Sequence, residues 1–415
     1  MSTFIRVEGY RVLLEEEEEV TMKWKNGFVS AGLEKLGGWD EKGTMGNAYV
    51  LPKHKDITKS RPICPTFSEP TSKICRKMAK CLNRMMKLIL ESSHFNMGSV
   101  SELGRRLRTI NNKVERRGAE WGVEGASFDI KDMFSRLPHA AILDALDWMC
   151  EWCEGRGFKS VQVRKQGTGT KLSYRKQEEG WWAVDFANVR RFVAFELEPT
   201  YTKATGAILK QVIGIPMGKS SSPPLACILC MKAEYEFIST LGDKRNRVFG
   251  MRLMDDVSIF VARKKDGDDY GKEIIGRFGG CYDEELTLKR TDDEEGVWEF
   301  LGCKLTIEAE QPYLGCFQRN KNMAEIWQNK PCSKQSRTSV RGPAGGKKSV
   351  VITGELNRIY VNTTRQEELL PLVLTLKREL RGKGYPPEFF NNGLRRFAAN
   401  KDEIWKLMVE LMTTW

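Results

Sequence analysis

The sequence predicts an α+β protein whose C-terminal part is entirely helical. Two apolar runs on either side of Asp255-Asp256 are typical of a β-hairpin with the acidic pair at its turn. Segments with strand-like and helix-like patterns alternate up to about residue 310. Beyond that point a basic linker leads into helix-like segments at 364–381 and 387–413.

Local patterns place the individual elements. Ile74, Met78 and Leu82 recur at helical spacing, and Pro138 is tolerated in the first turn of a helix. The predicted helices cover 74–90, 99–116, a segment opening at Pro138, and 225–238. The predicted strands cover 48–51, 126–130, 189–197, 208–213, 248–254 and 257–262. We also expect a helical, acidic lead-in over 1–44 and an insertion loop at 155–180, which is rich in Gly, Lys and Gln.

Composition limits the class of protein. The 415 residues carry 67 Lys+Arg against 55 Asp+Glu, and the net charge of +12 favours a polyanionic partner such as nucleic acid. A chain with 29% charged and 10% aromatic residues does not have the composition of a disordered protein. No apolar run approaches the ~18 residues of a membrane span, and the first residues lack the order of a signal peptide. We therefore expect an intracellular protein with no membrane partner.

The cysteine pattern does not predict a disulfide framework, because the 11 cysteines are odd in number and irregularly spaced. Cys150-x-x-Cys153 and Cys227-x-x-Cys230 are spaced as zinc ligands can be. Both pairs lie in apolar, helix-like stretches without the turn residues of a zinc knuckle. The preferred interpretation is therefore buried free thiols.

Three aspartates are the candidate catalytic residues. Asp255 and Asp256 are bracketed by apolar strands, and adjacent carboxylates repel each other unless a cation neutralises them. Asp129 lies near the end of the predicted strand 126–130. Three hard oxygen ligands suit two Mg²⁺ ions about 3.5–4 Å apart, which can activate a 3′-hydroxyl and stabilise leaving pyrophosphate.

Three other segments suit nucleotide chemistry. The loop 53–61 carries cations for a triphosphate, and the Gly/Pro loop 214–223 lets backbone approach a nucleotide closely. The segment 319–348 holds eight Lys and Arg residues against one acid. Its charge would follow the phosphates of a nucleic acid.

Some conspicuous residues have a structural interpretation instead. The acidic pairs Asp268-Asp269 and Asp292-Asp293 lie in charged loops and are interpreted as solvated. His139 is interpreted as an ordinary residue in the first turn of a helix.

The order of these features along the chain resembles the reverse transcriptases. That order comprises the basic loop, Asp129-x-x-Asp132-x-Phe134, Gly214-x-Pro-x-Gly218, Met254-Asp255-Asp256, Lys289 and Phe300-Leu301-Gly302. Further segments look like those of Penelope-like retroelement enzymes, a lineage close to telomerase. They are Tyr49-Val-Leu-Pro-Lys-His-Lys55 with Arg61-Pro-Ile63, Phe134-Ser-Arg-Leu-Pro138, Gln211-Val-Ile-Gly-Ile-Pro-Met-Gly218 and Arg381-Gly-Lys-Gly-Tyr-Pro386. The resemblance covers roughly residues 45–400.

The resemblance implies a right-hand polymerase with fingers at 45–125, a palm at 126–310 and a helical thumb after a basic linker at 311–415. The palm would contain an insertion at about 155–205 and an antiparallel sheet. The implied activity is RNA-directed DNA polymerisation, in which dNTPs extend a primer 3′ end on an RNA or DNA template. The implied cofactor is a pair of Mg²⁺ ions, with Mn²⁺ as an alternative, and the expected location is the nucleus.

Residue roles follow from the same resemblance. The metal site would consist of Asp129, Asp255, Asp256 and Ile130, with Lys289 as a general acid near the leaving phosphates. The dNTP site would consist of Lys53, Lys55, Arg61, Asp132, Met133, Phe134, Gln211 and Gly214. The nucleic-acid contacts would be Pro216, Met217, Gly218, Phe300, Leu301, Gly302, Lys347 and Lys348.

Phe134 separates the alternatives. An aromatic ring against C2′ leaves no room for the extra oxygen of ribose, whereas viral RNA-dependent RNA polymerases usually place a second Asp at that spacing. A DNA polymerase is therefore favoured over an RNA polymerase. A catalytically silent polymerase-fold protein that binds nucleic acid is the other alternative, against which the presence of all three aspartates argues.

The chain departs from the family pattern in five respects. Leu253-Met254 stands where an aromatic residue is usual, Met217 replaces the Gln of many reverse transcriptases, and the thumb has Ser339-Val-Arg-Gly-Pro343 in place of Ser-x-His-Pro. No GIY-YIG endonuclease follows residue 400, and no telomerase-type RNA-binding domain precedes residue 45. We therefore expect a chain that polymerises without nicking its own target, either because it resembles endonuclease-lacking elements that use free 3′ ends or because it is one piece of a larger product.

Overall fold

The structure is a computed structural model that describes residues 9–53, 56–292, 296–311, 313–328, 330 and 348–413. The strands are β1 Tyr10–Leu13, β2 Tyr49–Lys53, β3 Asp56–Ile63, β4 Trp121–Ile130, β5 Ser160–Arg164, β6 Thr170–Ser173, β7 Trp181–Val184, β8 Tyr201–Ala204, β9 Ala207–Gln211, β10 Val248–Leu253, β11 Asp256–Lys264, β12 Leu288–Arg290, β13 Val297–Phe300, β14 Cys303–Ile307 and β15 Leu314–Gln318. The α-helices are α1 Glu17–Ser30, α2 Ser72–Met86, α3 Leu103–Glu115, α4 Met133–Arg136, α5 His139–Glu154, α6 Phe186–Leu197, α7 Ser222–Thr240, α8 Tyr270–Phe278, α9 Met323–Trp327, α10 Lys348–Asn362, α11 Leu369–Gly382, α12 Pro387–Ala398 and α13 Glu403–Thr413.

The chain forms two compact units, each built from segments that are far apart in sequence. The first unit consists of Met1–Asn96, Ile130–Arg245 and Arg277–Lys289. The second consists of Met97–Asp129, Asn246–Gly276 and Arg290–Trp415.

Among its described residues, the first unit contains three small antiparallel sheets and five of the longer helices. The sheets have the strand orders β1-β9-β8, β2-β3 and β6-β5-β7. Helix α2 buries the face that carries Ile74, Met78 and Leu82, as their spacing predicted. Helix α7 begins at Ser222 with proline in its first turn and is buried on most sides.

The second unit is built around strands β10, β11 and β4, with β11 in the middle, and the three-stranded sheet β13-β14-β15. Helix α3 packs against these strands through a buried core that includes Leu107, Phe260 and Leu305. Helices α10 to α13 form a second core around Leu356 and Trp405, both of which are fully buried. The helical C-terminal part that the sequence predicted is therefore present.

Several elements differ from the sequence-based prediction. The segment 189–197 is not a strand but part of helix α6, which the carboxylate of Asp185 caps by accepting a hydrogen bond from the amide of Asn188 at 2.8 Å. Its aromatic and β-branched residues suggested a strand, but their buried positions follow helical spacing. The predicted lead-in helix is preceded by β1, and the predicted insertion loop contains β5 and β6. Among the described helices, none combines the length and the apolarity that a bilayer crossing requires.

Candidate active site

The three candidate aspartates all belong to the second unit. Strands β4 and β11 pair antiparallel in a register that sets Asp129 opposite Asp256. Directly opposed residues of such a pair have Cβ atoms about 4.5–5.5 Å apart on one face of the sheet. Asp255 lies in the turn between β10 and β11, immediately before Asp256. The fold therefore brings the three residues to one end of this sheet.

The turn beside Asp255 has an unusual backbone conformation. Met254 has a φ of +60°, which is uncommon for a residue other than glycine. Buried Arg252 supports the turn, because its Nη1 donates a hydrogen bond to the carbonyl oxygen of Met254 at 3.3 Å. Arg252 was not among the residues predicted from the sequence, although a lone arginine inside an apolar strand indicates a buried charge that needs partners.

Asp292 is buried rather than solvated, contrary to the sequence-based interpretation. Its side chain is 2% exposed and accepts hydrogen bonds from the amide of Ser127 at 2.9 Å and from Arg290 Nη2 at 2.9 Å. Burial opposes ionisation, but these hydrogen bonds lower the pKa of Asp292 below its usual value. Ser127 lies two residues before the candidate carboxylate of β4, so Asp292 fixes that strand. Asp268, also expected to be solvated, forms an ion pair with Arg247.

Phe300, Leu301 and Gly302 form the turn from β13 to β14. Leu301 and Gly302 have φ values of +55° and +81°, as a type I′ hairpin turn requires. The carbonyl oxygen of Gly302 accepts a hydrogen bond from Gln318 Nε2 at 2.9 Å. The ring of Phe300 is buried in the core. Leu301 and Gly302 are therefore the residues that this turn can offer to a partner.

A cavity beside this turn contains several cations. It is lined by the turn, the end of β15 and helices α10 and α11, and its residues include Gly302, Arg319, Lys321 and Arg358. Arg358 is ion-paired with Glu355 at 2.9 Å and Arg319 with Glu299, whereas Lys321 is exposed. Cations at such a position suit the phosphate oxygens of a nucleic-acid strand.

In the first unit, the short helix that carries Phe134 is bonded to the Gly/Pro loop. The amide of Ile215 donates to the carbonyl oxygen of Phe134 at 2.7 Å, and the amide of Gly214 donates to that of Leu137 at 3.0 Å. His139 Nε2 donates to the carbonyl oxygen of Gly214 at 2.7 Å. His139 thus has a role in holding the loop that its sequence context did not indicate.

The other end of the loop is bonded to the segment that follows Arg61. The amide of Cys64 donates to the carbonyl oxygen of Met217 at 2.9 Å, and Thr66 Oγ1 donates to that of Gly218 at 3.2 Å. Arg61 is exposed on β3, three residues before Cys64. The structure therefore brings Phe134, the Gly/Pro loop and the strand of Arg61 together.

The other candidates of the first unit differ in exposure. The buried ones are Ile130, Met133, Gln211 and Pro216. The exposed ones are Asp132 and Lys289. Gln211 Nε2 donates to the carbonyl oxygen of Ile213 at 3.0 Å, so its amide is already engaged in shaping the start of the loop.

Four predicted phosphate-binding lysines have no described side chain. Lys55 and Lys347 lie outside the described residues. Lys53 ends β2 and Lys348 begins α10, and only their backbone positions are described. Their roles stay predictions.

The aspartates alone do not form a complete metal-binding cage. Among the described residues, no three His, Cys, Asp or Glu side chains are grouped closely enough to hold an ion. The donor chemistry of β4 and β11 nevertheless fits Mg²⁺. That ion is usually held by one or two carboxylates together with substrate phosphates and water, rather than by protein ligands alone.

The C-x-x-C cysteines lie on helices α5 and α7. Cys150, Cys153, Cys227 and Cys230 are all buried, and none of them forms a disulfide within the described part of the chain. Burial raises the pKa of Cys153 to about 12, so its thiol is protonated at neutral pH.

The antiparallel sheet with aspartates at one end, together with a separate helical bundle, is the arrangement of a right-hand polymerase. No protein-family model and no curated protein sequence matches the chain. Telomerase from Candida albicans, in complex with a TWJ fragment of telomeric RNA, matches with a TM-score of 0.61 and 11% identity over 95% of this chain and 67% of that chain. Apo telomerase from Candida tropicalis matches with a TM-score of 0.54 and 12% identity over 96% of this chain and 68% of that chain.

The Candida tropicalis telomerase in complex with a TWJ fragment matches with a TM-score of 0.53 and 14% identity, covering 96% of this chain and 64% of that chain. The present chain therefore has the fold of these telomerases and spans about two thirds of their length. The predicted fold class, an α+β right-hand polymerase, is confirmed.

Proposed function

We propose that the protein is an RNA-directed DNA polymerase that extends a primer 3′-hydroxyl with dNTPs. The observation that carries the proposal is the register of β4 and β11, which sets Asp129 opposite Asp256 and leaves Asp255 in the adjacent turn. The similarity in fold to solved telomerases supports it. The net charge of +12 favours a nucleic-acid partner.

Asp129, Asp255 and Asp256 would hold Mg²⁺ or Mn²⁺, and Ile130 would contribute its backbone carbonyl. When bound, two such ions activate the 3′-hydroxyl and neutralise charge on the leaving pyrophosphate. The paired strands keep the carboxylates in place before substrate arrives, which lowers the reorganisation needed at the reacting centre. We assign Lys289, exposed on β12, to protonation of the leaving pyrophosphate.

The nucleotide would lie against the Gly/Pro loop and the helix that carries Phe134. Arg61, with Lys53 and Lys55, would bind the triphosphate through charge-assisted hydrogen bonds. The rest of the proposed dNTP site consists of Asp132, Met133, Phe134, Gln211 and Gly214. The proposed contacts to primer and template are Pro216, Met217, Gly218, Phe300, Leu301, Gly302, Lys347 and Lys348, with the buried Phe300 supporting its turn.

The motifs at 49–63 and 211–218 make a Penelope-like retroelement enzyme the specific form of this proposal.

Primer extension tests the proposed polymerase activity. Purified protein is given a labelled primer on an RNA template, with Mg²⁺ and either dNTPs or rNTPs. DNA synthesis from dNTPs is expected. Synthesis from rNTPs alone would instead identify an RNA-dependent RNA polymerase, and hybrid binding without synthesis would identify a silent binding protein.

Replacing Phe134 is expected to weaken selection of the sugar. In Phe134→Ala the ring that would exclude the 2′-hydroxyl is absent, so the ratio of kcat/KM for dNTP over rNTP should fall by roughly 10–200-fold. Single-nucleotide incorporation with each substrate measures that ratio. Tyr174→Ala removes an exposed aromatic ring from the β6 region and should leave the ratio unchanged. An unaltered ratio in Phe134→Ala contradicts the assignment of Phe134.

Binding to an RNA–DNA hybrid is expected to weaken steeply with salt. Lys321→Gln should reduce the slope of log K against log [salt] by about 1, because one phosphate contact is lost. Fluorescence anisotropy at several NaCl concentrations measures the slope. Lys25→Gln is the control, since Lys25 is paired with Glu41 at 2.6 Å on another surface segment. Equal slopes for both variants would exclude Lys321 from the interface.

A further inference from the structure

A buried cluster of charges lies directly after the Gly/Pro loop. Lys219 Nζ is 2.7 Å from Glu196 Oε2 and 3.5 Å from Glu69 Oε2. The three side chains are 3%, 2% and 4% exposed, respectively. Thr71 Oγ1 donates a hydrogen bond to Glu196 Oε1 at 2.9 Å. We call Lys219, Glu69, Glu196 and Thr71 the Lys219 cluster.

The Lys219 cluster joins three separate stretches of the first unit. Glu69 and Thr71 immediately precede α2, Glu196 lies near the end of α6, and Lys219 lies between the Gly/Pro loop and α7. A charge removed from water is tolerated only where partners compensate it. The two carboxylates therefore confine the ammonium group of Lys219, and with it the adjacent end of the loop.

Hydrogen bonds to backbone carbonyl oxygens hold the same end of the loop from its other side. The carbonyl oxygens of Met217 and Gly218 accept from Cys64 and Thr66, which belong to the same stretch of chain as Glu69. Lys219 follows these two residues directly. The ion pairs and the backbone hydrogen bonds thus hold one short segment from both sides.

The charge of the cluster is unbalanced, with two carboxylates facing one ammonium group. Burial raises the pKa of Glu69 to about 7, against the opposing effect of Lys219. Burial would lower the pKa of Lys219, but Glu196 and Glu69 raise it, so Lys219 stays charged. Cys75 faces the same cluster, and burial raises the pKa of its thiol to about 12. Glu69 is therefore the member that changes ionisation near neutral pH.

We infer that Lys219 is a positioning residue, and that the Lys219 cluster sets the distance at which Met217 and Gly218 meet the nucleotide and its template base. The inference rests on the proposed polymerase function and adds a determinant of its nucleotide affinity. Buried ion pairs contribute little to stability compared with apolar replacements of similar volume. If the cluster positions the loop, removing its charges should raise KM even though the free energy of unfolding is not lowered.

The decisive variant neutralises all three charges at once, as Lys219→Met with Glu69→Gln and Glu196→Gln. It leaves no unpaired buried charge, so its thermal midpoint is expected to equal or exceed that of the wild type. Its kcat/KM for dNTP is expected to fall roughly 10–100-fold, because KM rises while kcat stays the same. Lys232→Met is the control, because Lys232 lies on α7, the helix that follows Lys219, and pairs with Asp144 at the surface. A triple variant with wild-type KM overturns the inference.

Glu69→Gln supplies a second readout, because it removes the titrating member and leaves Lys219 paired with Glu196. The KM of the wild type is expected to rise as the pH falls through about 7, as Glu69 loses its charge. The KM of Glu69→Gln should not show that step. Identical pH profiles of KM overturn the inference.

Hydrogen–deuterium exchange separates this inference from the proposed function, because it needs no activity. In the triple variant the amides of Cys64 and Ile215, which bond the loop at its two ends, should exchange at least about tenfold faster than in the wild type. The amide of Lys131, bonded to Thr287 in the same unit, should be unchanged. If the wild type does not polymerise, the proposed function fails while this comparison still decides the role of the cluster. Unchanged exchange at Cys64 and Ile215 overturns the inference.

Discussion

Asp255→Asn is expected to reduce primer extension by at least about 10³-fold in kcat. The amide keeps the shape of the side chain but lacks the negative charge that, in the proposed mechanism, would hold a divalent cation beside Asp129 and Asp256. Asp255 lies in a hairpin turn and is only partly buried, so the fold should not change. Single-turnover extension of a labelled primer on an RNA template measures the effect.

Asp266→Asn is the matched control for this experiment. Asp266 is exposed in the loop that follows β11, and its replacement removes the same charge from the same unit. The rate of Asp266→Asn should equal that of the wild type. The free energy of unfolding of both variants should lie within about 0.5 kcal/mol of the wild-type value. Full activity in Asp255→Asn would remove this residue from the metal site and the proposed mechanism with it.

Gly214→Ala is expected to lower the free energy of unfolding by about 2–5 kcal/mol. Gly214 has a φ of +77°, and a Cβ atom there would lie 2.4 Å from the carbonyl oxygen of Phe134. The left-handed backbone costs about 1–2 kcal/mol for alanine, and the overlap with backbone atoms adds about 1–3 kcal/mol. Denaturant unfolding monitored by tryptophan fluorescence measures the change.

Gly167→Ala separates the two contributions. Gly167 has a φ of +79°, but nothing lies within 4 Å of the position its Cβ would take. Only the backbone cost of about 1–2 kcal/mol is expected there. The difference between the two variants therefore measures the close approach of the Gly/Pro loop to Phe134. If both variants lose the same free energy of unfolding, the loop can move away from Phe134 without destabilising the protein.

The fold was predictable from the sequence where the pattern is local. The hairpin around Asp255 follows from two apolar runs separated by a turn, and α2 follows from apolar residues at helical spacing. The segment 189–197 misled the prediction because its β-branched and aromatic residues have strand propensity, whereas tertiary packing decides the outcome. Strand β14 and helix α10 were not predicted, because packing within the second unit, not a local signal, stabilises them.

For the candidate site, the sequence predicted which residues would take part and their order along the chain, but not the contacts between them. The motifs named Phe134 and the Gly/Pro loop, but the hydrogen bonds that join them depend on pairing across the fold. Asp292 and Lys219 were missed for the same reason. Charged residues in polar sequence look solvated, and burial against Ser127 or Glu196 appears only when distant segments meet.

The division of the chain into discontinuous units has a consequence during synthesis on the ribosome. Asp129 acquires its partner Asp256 only after the intervening segment Ile130–Arg245, which belongs to the other unit, has been translated. Pairing of such distant strands is slow compared with local folding. A nascent or truncated chain that stops before β10 contains the whole Gly/Pro loop and none of the hairpin. Such a product would expose the unpaired edge of β4, the kind of surface on which chaperones act.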